Sequence, residues 1–135
     1  MHNKNKILLI EDEPIIRRVH RLFLEKMGFQ VEIAINGKQA LEMCINSFYH
    51  LIILDSRLPD MKGVDVGKEI RSLEKKNQTI RKPILLLSAY PSELLRQWCK
   101  EAEIDSFAVK PIRYHDLSFM LESYFSKGTF SDKAV

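Results

Sequence analysis

The stretch Leu51-Ile52-Ile53-Leu54-Asp55 decides the fold of this chain. It is an uninterrupted apolar run that ends on a carboxylate and passes directly into a polar turn closed by Gly63. Apolar runs of this length are typical of a strand buried on both faces, which occurs in parallel sheets covered by helices on either side. We therefore predict that Asp55 lies at the carboxyl end of a central strand, the edge where open α/β sheets bind ligands.

Three other apolar runs also end in polar residues. Residues 7–10 lead into Glu11 and Asp12, residues 84–87 into Ser88, and residues 107–109 into Lys110. If these runs are parallel neighbours, their carboxyl ends meet along one edge of the sheet. We therefore expect three acids, a hydroxyl and an ammonium group around one crevice: Glu11, Asp12, Asp55, Ser88 and Lys110.

Helical patterns separate the strands. Pro14 suits the first turn of a helix, and apolar residues then recur at helical spacing up to the stop signal Gly28. The predicted apolar stripe of this helix is Ile15, Ile16, Val19, Leu22, Phe23 and Met27. Residues 29–34 alternate between apolar and polar side chains, as a second strand does. Four further helical patterns follow, giving five helices in all, and Ser92 is a candidate cap at the start of the fourth helix. The order predicts an α/β fold with a doubly wound five-stranded parallel sheet, flavodoxin-like (βα)5, strand order 2-1-3-4-5.

The composition is that of one ordinary globular domain. The chain has 135 residues, of which 45% are hydrophobic and 29% charged, and its net charge of +3 is too small and too dispersed to indicate direct nucleic-acid binding. No window is apolar enough to span a membrane and no signal peptide is visible, so we expect a cytoplasmic protein. Cys44 and Cys99 lie in apolar stripes and are interpreted as buried thiols of a reducing compartment.

Three carboxylates in one crevice repel one another unless a cation lies among them. Carboxylate oxygens with room for water and a phosphate suit Mg²⁺, and an ionised carboxylate beside that ion can attack phosphorus. Lys110 and the Ser88 hydroxyl would stabilise the charge on the transferred group. Glu13 follows the acidic pair directly, but its place before Pro14 favours a helix-terminal charge over a metal ligand.

The set of motifs resembles the receiver domain of two-component response regulators over residues 7–125. A Glu-Asp pair, Asp-x-x-x-Pro, a strand ending in Ser-Ala, and Lys-Pro occur in this order, each at a strand end. The resemblance implies that Asp55 is the phosphoacceptor in a magnesium-dependent transfer from a phosphohistidine of a sensor histidine kinase or histidine phosphotransfer protein. It also implies that Asp12 binds magnesium directly, Glu11 through water, and Arg57 through its backbone carbonyl.

The resemblance also implies a conformational switch. On phosphorylation the Ser88 hydroxyl would move toward the phosphoryl group and the Phe107 ring would rotate inward. The altered surface, made by the fourth helix, fifth strand and fifth helix, would contact a downstream protein. The chain would then be no conventional enzyme, since it catalyses only its own phosphorylation and dephosphorylation.

Two features of the chain depart from the usual pattern of this family, Glu103 and the segment over 74–82. Glu103 stands where the family often has glycine, so either the fourth helix ends differently or Glu103 has a left-handed backbone. The polar, basic segment 74–82 is predicted to be a solvent-exposed loop and resembles that of receivers fused to sensor kinases. We expect a receiver domain over 1–126 and a short polar tail over 127–135, with no second domain.

Two functions of different classes are open at this point. The first is the phospho-accepting module, and the alternative is a phosphorylation-independent, receiver-like adaptor that binds proteins. All five site residues are present, which favours the first, because a pure scaffold has no use for clustered buried acids. A small-molecule phosphatase would need a further acid or base beyond Asp55, and none is suitably placed.

Overall fold

A parallel β-sheet forms the centre of the computed structural model, which describes residues 4–125. The strands are β1 (Lys6–Ile10), β2 (Gln30–Ala34), β3 (Leu51–Asp55), β4 (Ile84–Ser88) and β5 (Ser106–Val109). The helices are α1 (Pro14–Lys26), α2 (Gly37–Asn46), α3 (Gly63–Asn77), α4 (Glu93–Glu101) and α5 (Tyr114–Glu122). The strand order is β2-β1-β3-β4-β5 and each neighbouring pair is parallel, which confirms the predicted fold. The predicted tail over 127–135 lies outside the described residues.

Two apolar layers cover the faces of this sheet. Successive side chains of a strand point to opposite faces, so β1 sends Ile7 and Leu9 to one layer and Leu8 and Ile10 to the other. The first layer includes residues of α1 and α5, and the second includes residues of α2, α3 and α4. Every residue of β3 and β4 is buried, as their continuous apolar sequences predict.

Side-chain caps begin three of the helices. The carboxylate of Glu13 accepts a hydrogen bond from the Ile16 amide at 2.8 Å, so Glu13 caps α1 as the sequence suggested. Asn36 caps α2, and Ser92 caps α4 as predicted. Gly28 follows α1 with φ of +98°, a left-handed conformation in which glycine carries no steric penalty.

The predicted apolar stripe of α1 is partly wrong. Ile15 and Leu22 are 73% and 56% exposed, whereas His20 and Leu24 are buried. At 100° per residue, Ile16, His20 and Leu24 lie on one narrow face, and that face packs on the sheet. The sequence pattern of the second helix also predicted Ile45 and Phe48 on its buried face, but Ile45 is exposed and Phe48, which is exposed too, lies beyond the end of α2. The apolar residues of these helices therefore extend beyond the face that the sheet covers.

The segment over 74–82 is only in part the solvent-exposed loop that its polar sequence predicts, because residues 75–81 are exposed but residues 74–77 still belong to α3 and both end residues are buried. Glu74 and Lys82 are both buried, and a carboxylate oxygen of Glu74 accepts a hydrogen bond from the Lys82 amide at 2.8 Å. The Arg71 guanidinium donates to the other Glu74 oxygen at 2.9 Å and to the Lys82 carbonyl at 2.7 Å. These charges are buried because they satisfy one another, which a residue-by-residue reading of polarity does not detect.

The structure also decides the backbone of Glu103 and the burial of the two cysteines. Glu103 has φ of 59°, so it adopts the left-handed backbone that one of the two alternatives required. Cys99 is buried and Cys44 only half-buried; both thiols are free, and burial raises the pKa of Cys44 to about 11. Within residues 4–125, none of the helices combines the length and apolar character needed to cross a membrane.

Candidate functional site

An acid cluster, formed by Glu11, Asp12 and Asp55, lies at the carboxyl edge of the sheet. Ile10 pairs with Leu54 across β1 and β3, so the residues that follow them, Glu11 and Asp55, end neighbouring strands. One carboxylate oxygen from each of the three acids lies within 4.8 Å of the others. Glu11 and Asp55 are buried, whereas Asp12 is exposed. The structure therefore brings together the three acids that the sequence placed in one crevice.

Lys110 lies against this acid cluster. Its Nζ donates to both carboxylate oxygens of Glu11, at 3.0 and 3.2 Å, and is 3.2 Å from Oδ1 of Asp55. The Lys110 amide also donates to the Ser88 carbonyl at 2.8 Å, which fixes the end of β5 against the end of β4. The Lys110-Pro111 peptide is cis. One ammonium group thus joins two of the three acids.

The ionisation of these groups depends on burial and on their mutual contacts. Burial raises the pKa of Glu11 to about 7, although the hydrogen bond from Lys110 opposes the shift. For Lys110, desolvation lowers the pKa, but the hydrogen bond to Glu11 and the negative charges of Asp55 and Glu11 outweigh it and leave the pKa raised. Lys110 therefore remains a cation, and a further cation in the acid cluster would favour the ionised form of Glu11.

The turn that follows Asp55, between β3 and α3, is held by hydrogen bonds within the turn and to α2. The Gly63 amide donates to the Ser56 carbonyl at 2.8 Å, and α3 begins so close to β3 that a Cβ on Gly63 would lie 2.3 Å from the Asp55 carbonyl oxygen. The Asp60 carboxylate accepts the amides of Gly37 and Lys38, at 2.8 and 2.9 Å. The turn is thereby attached to the start of α2.

An open cavity of about 270 Å³ adjoins the acid cluster. Its walls include Lys110, Glu13, Arg57 and Tyr90, and the guanidinium carbon of Arg57 is 5.6 Å from the centre of the Tyr90 ring. A cavity of this size has room for a small anionic group.

Ser88 and Phe107 are not among the residues that line this cavity. The Ser88 hydroxyl is buried and accepts a hydrogen bond from the Tyr90 amide at 3.1 Å. Phe107 is half-buried, and the guanidinium carbon of Arg96 lies 5.1 Å from its ring centre. Their role as a switch stays a prediction.

Two residues that shape the site, Arg17 and Asp60, carry no sequence signal that marks them as functional. Arg17 donates to the backbone carbonyls of Glu11 and Asp12, and Asp60 holds the turn to α2 as described above. Asp60 follows Pro59 in a turn, where an acid is common, so its partner could not be inferred. Arg17 lies in a run of basic residues on α1, and nothing in the spacing separates it from its neighbour Arg18.

Comparison with known proteins identifies the family. A family model described as the response regulator receiver domain matches residues 7–122. The chain belongs to this family. The receiver domain is 36% identical to the transcriptional regulatory protein SrrA of Staphylococcus aureus over 107 residues, which are 79% of this chain and 42% of that protein. It therefore spans less than half the length of the curated relatives it matches.

Two solved receiver structures are similar over nearly the whole chain. The receiver domain of Ssk1 from Saccharomyces cerevisiae, crystallised with the histidine phosphotransfer protein Ypd1, is 25% identical, with a TM-score of 0.86 covering 98% of this chain and 97% of that one. The receiver domain of the sensor histidine kinase PA1611 from Pseudomonas aeruginosa PAO1, solved with a magnesium ion in its active-site cleft, is 30% identical, with a TM-score of 0.80 covering 90% of this chain and 98% of that one. This receiver domain is accordingly a module of two-component signalling, which confirms the resemblance drawn from the sequence.

Proposed function

We propose that this receiver domain accepts a phosphoryl group on Asp55 from a phosphohistidine, in a reaction that requires Mg²⁺. The observation that carries the proposal is the acid cluster itself, with three carboxylate oxygens within 4.8 Å and the Lys110 ammonium 3.2 Å from Asp55. A divalent cation on one side of Asp55 and an ammonium on the other would neutralise a phosphoryl group between them.

The donor set fits magnesium. Mg²⁺ prefers hard oxygen ligands and is usually held by one or two carboxylates, with waters and phosphate oxygens in its remaining positions. Asp12 and Asp55 would bind it directly, and the backbone carbonyl of Arg57 would complete the protein ligands. Glu11, whose two oxygens both accept hydrogen bonds from Lys110, suits contact through water. When bound, magnesium would neutralise charge on the transferred phosphoryl group.

The residues of the site then have defined tasks in the transfer. An oxygen of the Asp55 carboxylate attacks phosphorus, the bond from phosphorus to the donor's imidazole nitrogen breaks, and that nitrogen keeps the electron pair. The products are an aspartyl phosphate and a neutral histidine, the other ring nitrogen having carried its proton throughout. Lys110 holds the Asp55 carboxylate in position and offsets negative charge, and water later cleaves the acyl phosphate.

The signalling partners belong to the same proposal. The donor would be a sensor histidine kinase or a histidine phosphotransfer protein, and the complex of the Ssk1 receiver with Ypd1 supports this class. Transfer would take place in the cytoplasm. Phosphorylation would draw Ser88 away from the Tyr90 amide and turn Phe107 inward. The face of α4, β5 and α5 would then contact a downstream protein, since these three elements expose Leu94, Val109 and Phe119, and Tyr90 is exposed in the loop before α4.

Intact-protein mass after incubation with acetyl phosphate tests the proposal. We expect the wild type to gain one phosphoryl group in magnesium and none after chelation, and Asp55→Asn to gain none. Asp65→Asn removes an exposed acid of α3 and should behave as the wild type. Absence of any gain in the wild type, together with absence of beryllofluoride binding, would instead identify a phosphorylation-independent adaptor.

A further inference from the structure

The Arg17 side chain contacts the loop that carries two members of the acid cluster. One guanidinium nitrogen, Nη1, donates to the backbone carbonyl of Glu11 at 3.1 Å and to that of Asp12 at 3.3 Å. Nη1 carries two hydrogens, so each carbonyl can receive its own. Arg17 itself is fixed one turn into α1, where its amide donates to the Glu13 carbonyl at 2.9 Å.

These two carbonyls belong to the two peptide planes that flank the Cα of Asp12. The Glu11 carbonyl lies in the plane before that Cα and the Asp12 carbonyl in the plane after it. Because the backbone has only two soft torsions per residue, holding both planes fixes φ and ψ of Asp12. Those torsions set the direction in which the Asp12 carboxylate leaves the backbone.

The direction of the Asp12 carboxylate depends on the backbone more than the directions of the Glu11 and Asp55 carboxylates do. Glu11 is held by Lys110 and by the Glu13 amide, and Asp55 by Lys110 and by the Arg57 amide at 3.3 Å. Across residues 4–125, the Asp12 carboxylate has no side-chain hydrogen bond or ion pair, and it is exposed. An exposed side chain without such contacts samples several rotamers, so its mean direction follows the backbone.

We propose that Arg17 is a positioning residue for the magnesium site, which aims the Asp12 carboxylate by holding both peptide planes around it. The inference rests on the proposed function, because it assigns a role toward the same cation. Partners that orient a ligand typically contribute ten-fold or more to metal affinity. Arg17 contributes in this way although its own charge opposes a cation.

Because the Arg17 charge repels a cation, the direction in which magnesium affinity changes after its replacement distinguishes the possible roles of Arg17. If Arg17 acted only through its charge, replacing it with a neutral residue would strengthen magnesium binding, because a repulsive charge would be removed. If it served only the stability of α1, replacement would lower stability and leave the affinity unchanged. Positioning alone predicts weaker binding after the positive charge has been removed.

The experiment is a magnesium titration of ¹⁵N-labelled protein, followed by ¹H–¹⁵N correlation spectra that report both affinity and folding. The variants are Arg17→Met, Arg17→Lys and the matched control Arg18→Met, which removes the same charge from the exposed neighbouring position of α1. We expect magnesium binding to weaken about tenfold in Arg17→Met. Arg17→Lys keeps the charge but loses the guanidinium fork, so it should also bind more weakly, and Arg18→Met should stay within about twofold of the wild type.

The outcomes separate this inference from the proposed function. Unchanged or tighter binding in Arg17→Met, with normal binding by the wild type, would overturn the positioning role alone. If Arg17→Met does not fold, Arg17→Lys decides by the same criterion. If the wild type fails to bind magnesium, the proposed function itself is wrong and the role of Arg17 is rejected with it.

Discussion

At the scale of single residues, His20 is the least satisfied group of the core. Its side chain on α1 is buried, and neither ring nitrogen has a hydrogen-bond partner within the described part of the chain. A buried polar group without a partner costs about 1–3 kcal/mol. We expect His20→Leu to raise the free energy of unfolding by about that amount in urea titrations. His115→Leu, at an exposed position of α5, is the control and should change it little.

His20 also makes stability depend on pH. Burial, followed by the nearby Lys110 ammonium, lowers its pKa from 6.5 to about 4. A base with a depressed folded-state pKa contributes full stability above the unfolded pKa, because it is neutral in both states, and loses it as the pH falls toward the folded pKa. Urea unfolding between pH 7 and 4 should therefore show a loss of roughly 3 kcal/mol from this group. The loss should be absent in His20→Leu and unaffected in His115→Leu.

Gly63 is required by the close approach of α3 to β3. An added Cβ would lie 2.3 Å from the Asp55 carbonyl oxygen, which is backbone and cannot move without shifting the phosphoacceptor. We expect Gly63→Ala to destabilise the fold by about 2 kcal/mol or more in urea unfolding. Gly67→Ala in the same helix meets the Ile104 side chain at 3.1 Å and Ala102 Cβ at an ordinary contact distance of 3.9 Å, so it should change stability by less than about 1 kcal/mol. Similar losses in both variants would contradict this account.

At the scale of elements, Arg71 joins α3 to the loops before β4 and β5. It bonds Glu74 and the Lys82 carbonyl, donates to the Glu103 carbonyl at 3.0 Å and pairs with Asp105 at 2.8 Å. The Glu103 carbonyl belongs to the residue with the left-handed backbone, so Arg71 stabilises a conformation that glycine adopts freely.

Removing this guanidinium should leave the buried Glu74 carboxylate with the more distant Lys82 ammonium, at 3.4 Å, as its charged partner. We expect Arg71→Met to lower the free energy of unfolding by about 3 kcal/mol, because both Glu74 and Asp105 lose an ion pair that is largely shielded from water. Lys68→Met removes an exposed charge from the same helix and should have little effect in the same denaturation experiment. An equal loss in the two variants would show that the network adds nothing beyond helix charge.

At the scale of the whole molecule, magnesium binding should stabilise the fold through linkage. An ion that binds only the folded state adds about 1.4 kcal/mol at ten times its dissociation constant. For a domain of this size that corresponds to a rise in melting temperature of about 5 °C. Scanning calorimetry with and without magnesium measures this, and Asp12→Asn should lose most of the rise. A wild type insensitive to magnesium would argue against a folded-state site in the acid cluster.

Most of the architecture could be predicted from local sequence patterns. Apolar runs such as Ile84–Ser88 and the caps Glu13 and Ser92 are local signals, because neighbours in sequence decide strand burial and helix starts. Right-handed crossovers then restrict the strand order to few alternatives. The acid cluster followed from that order, since residues ending parallel strands meet at one edge.

The chain's own sequence therefore determined the five strand–helix units, the sheet order and the residues that meet at its carboxyl edge. Only the tertiary structure decided which polar side chains are buried and with which partners. Arg17, His20 and Arg71 resemble exposed residues of the same helices in sequence, yet Arg17 bridges two carbonyls and Arg71 holds two loops. His20 is buried, with no hydrogen-bond partner among residues 4–125. The physical reason is that the environment of a side chain is set by groups distant in sequence, whose approach follows from packing and not from periodicity.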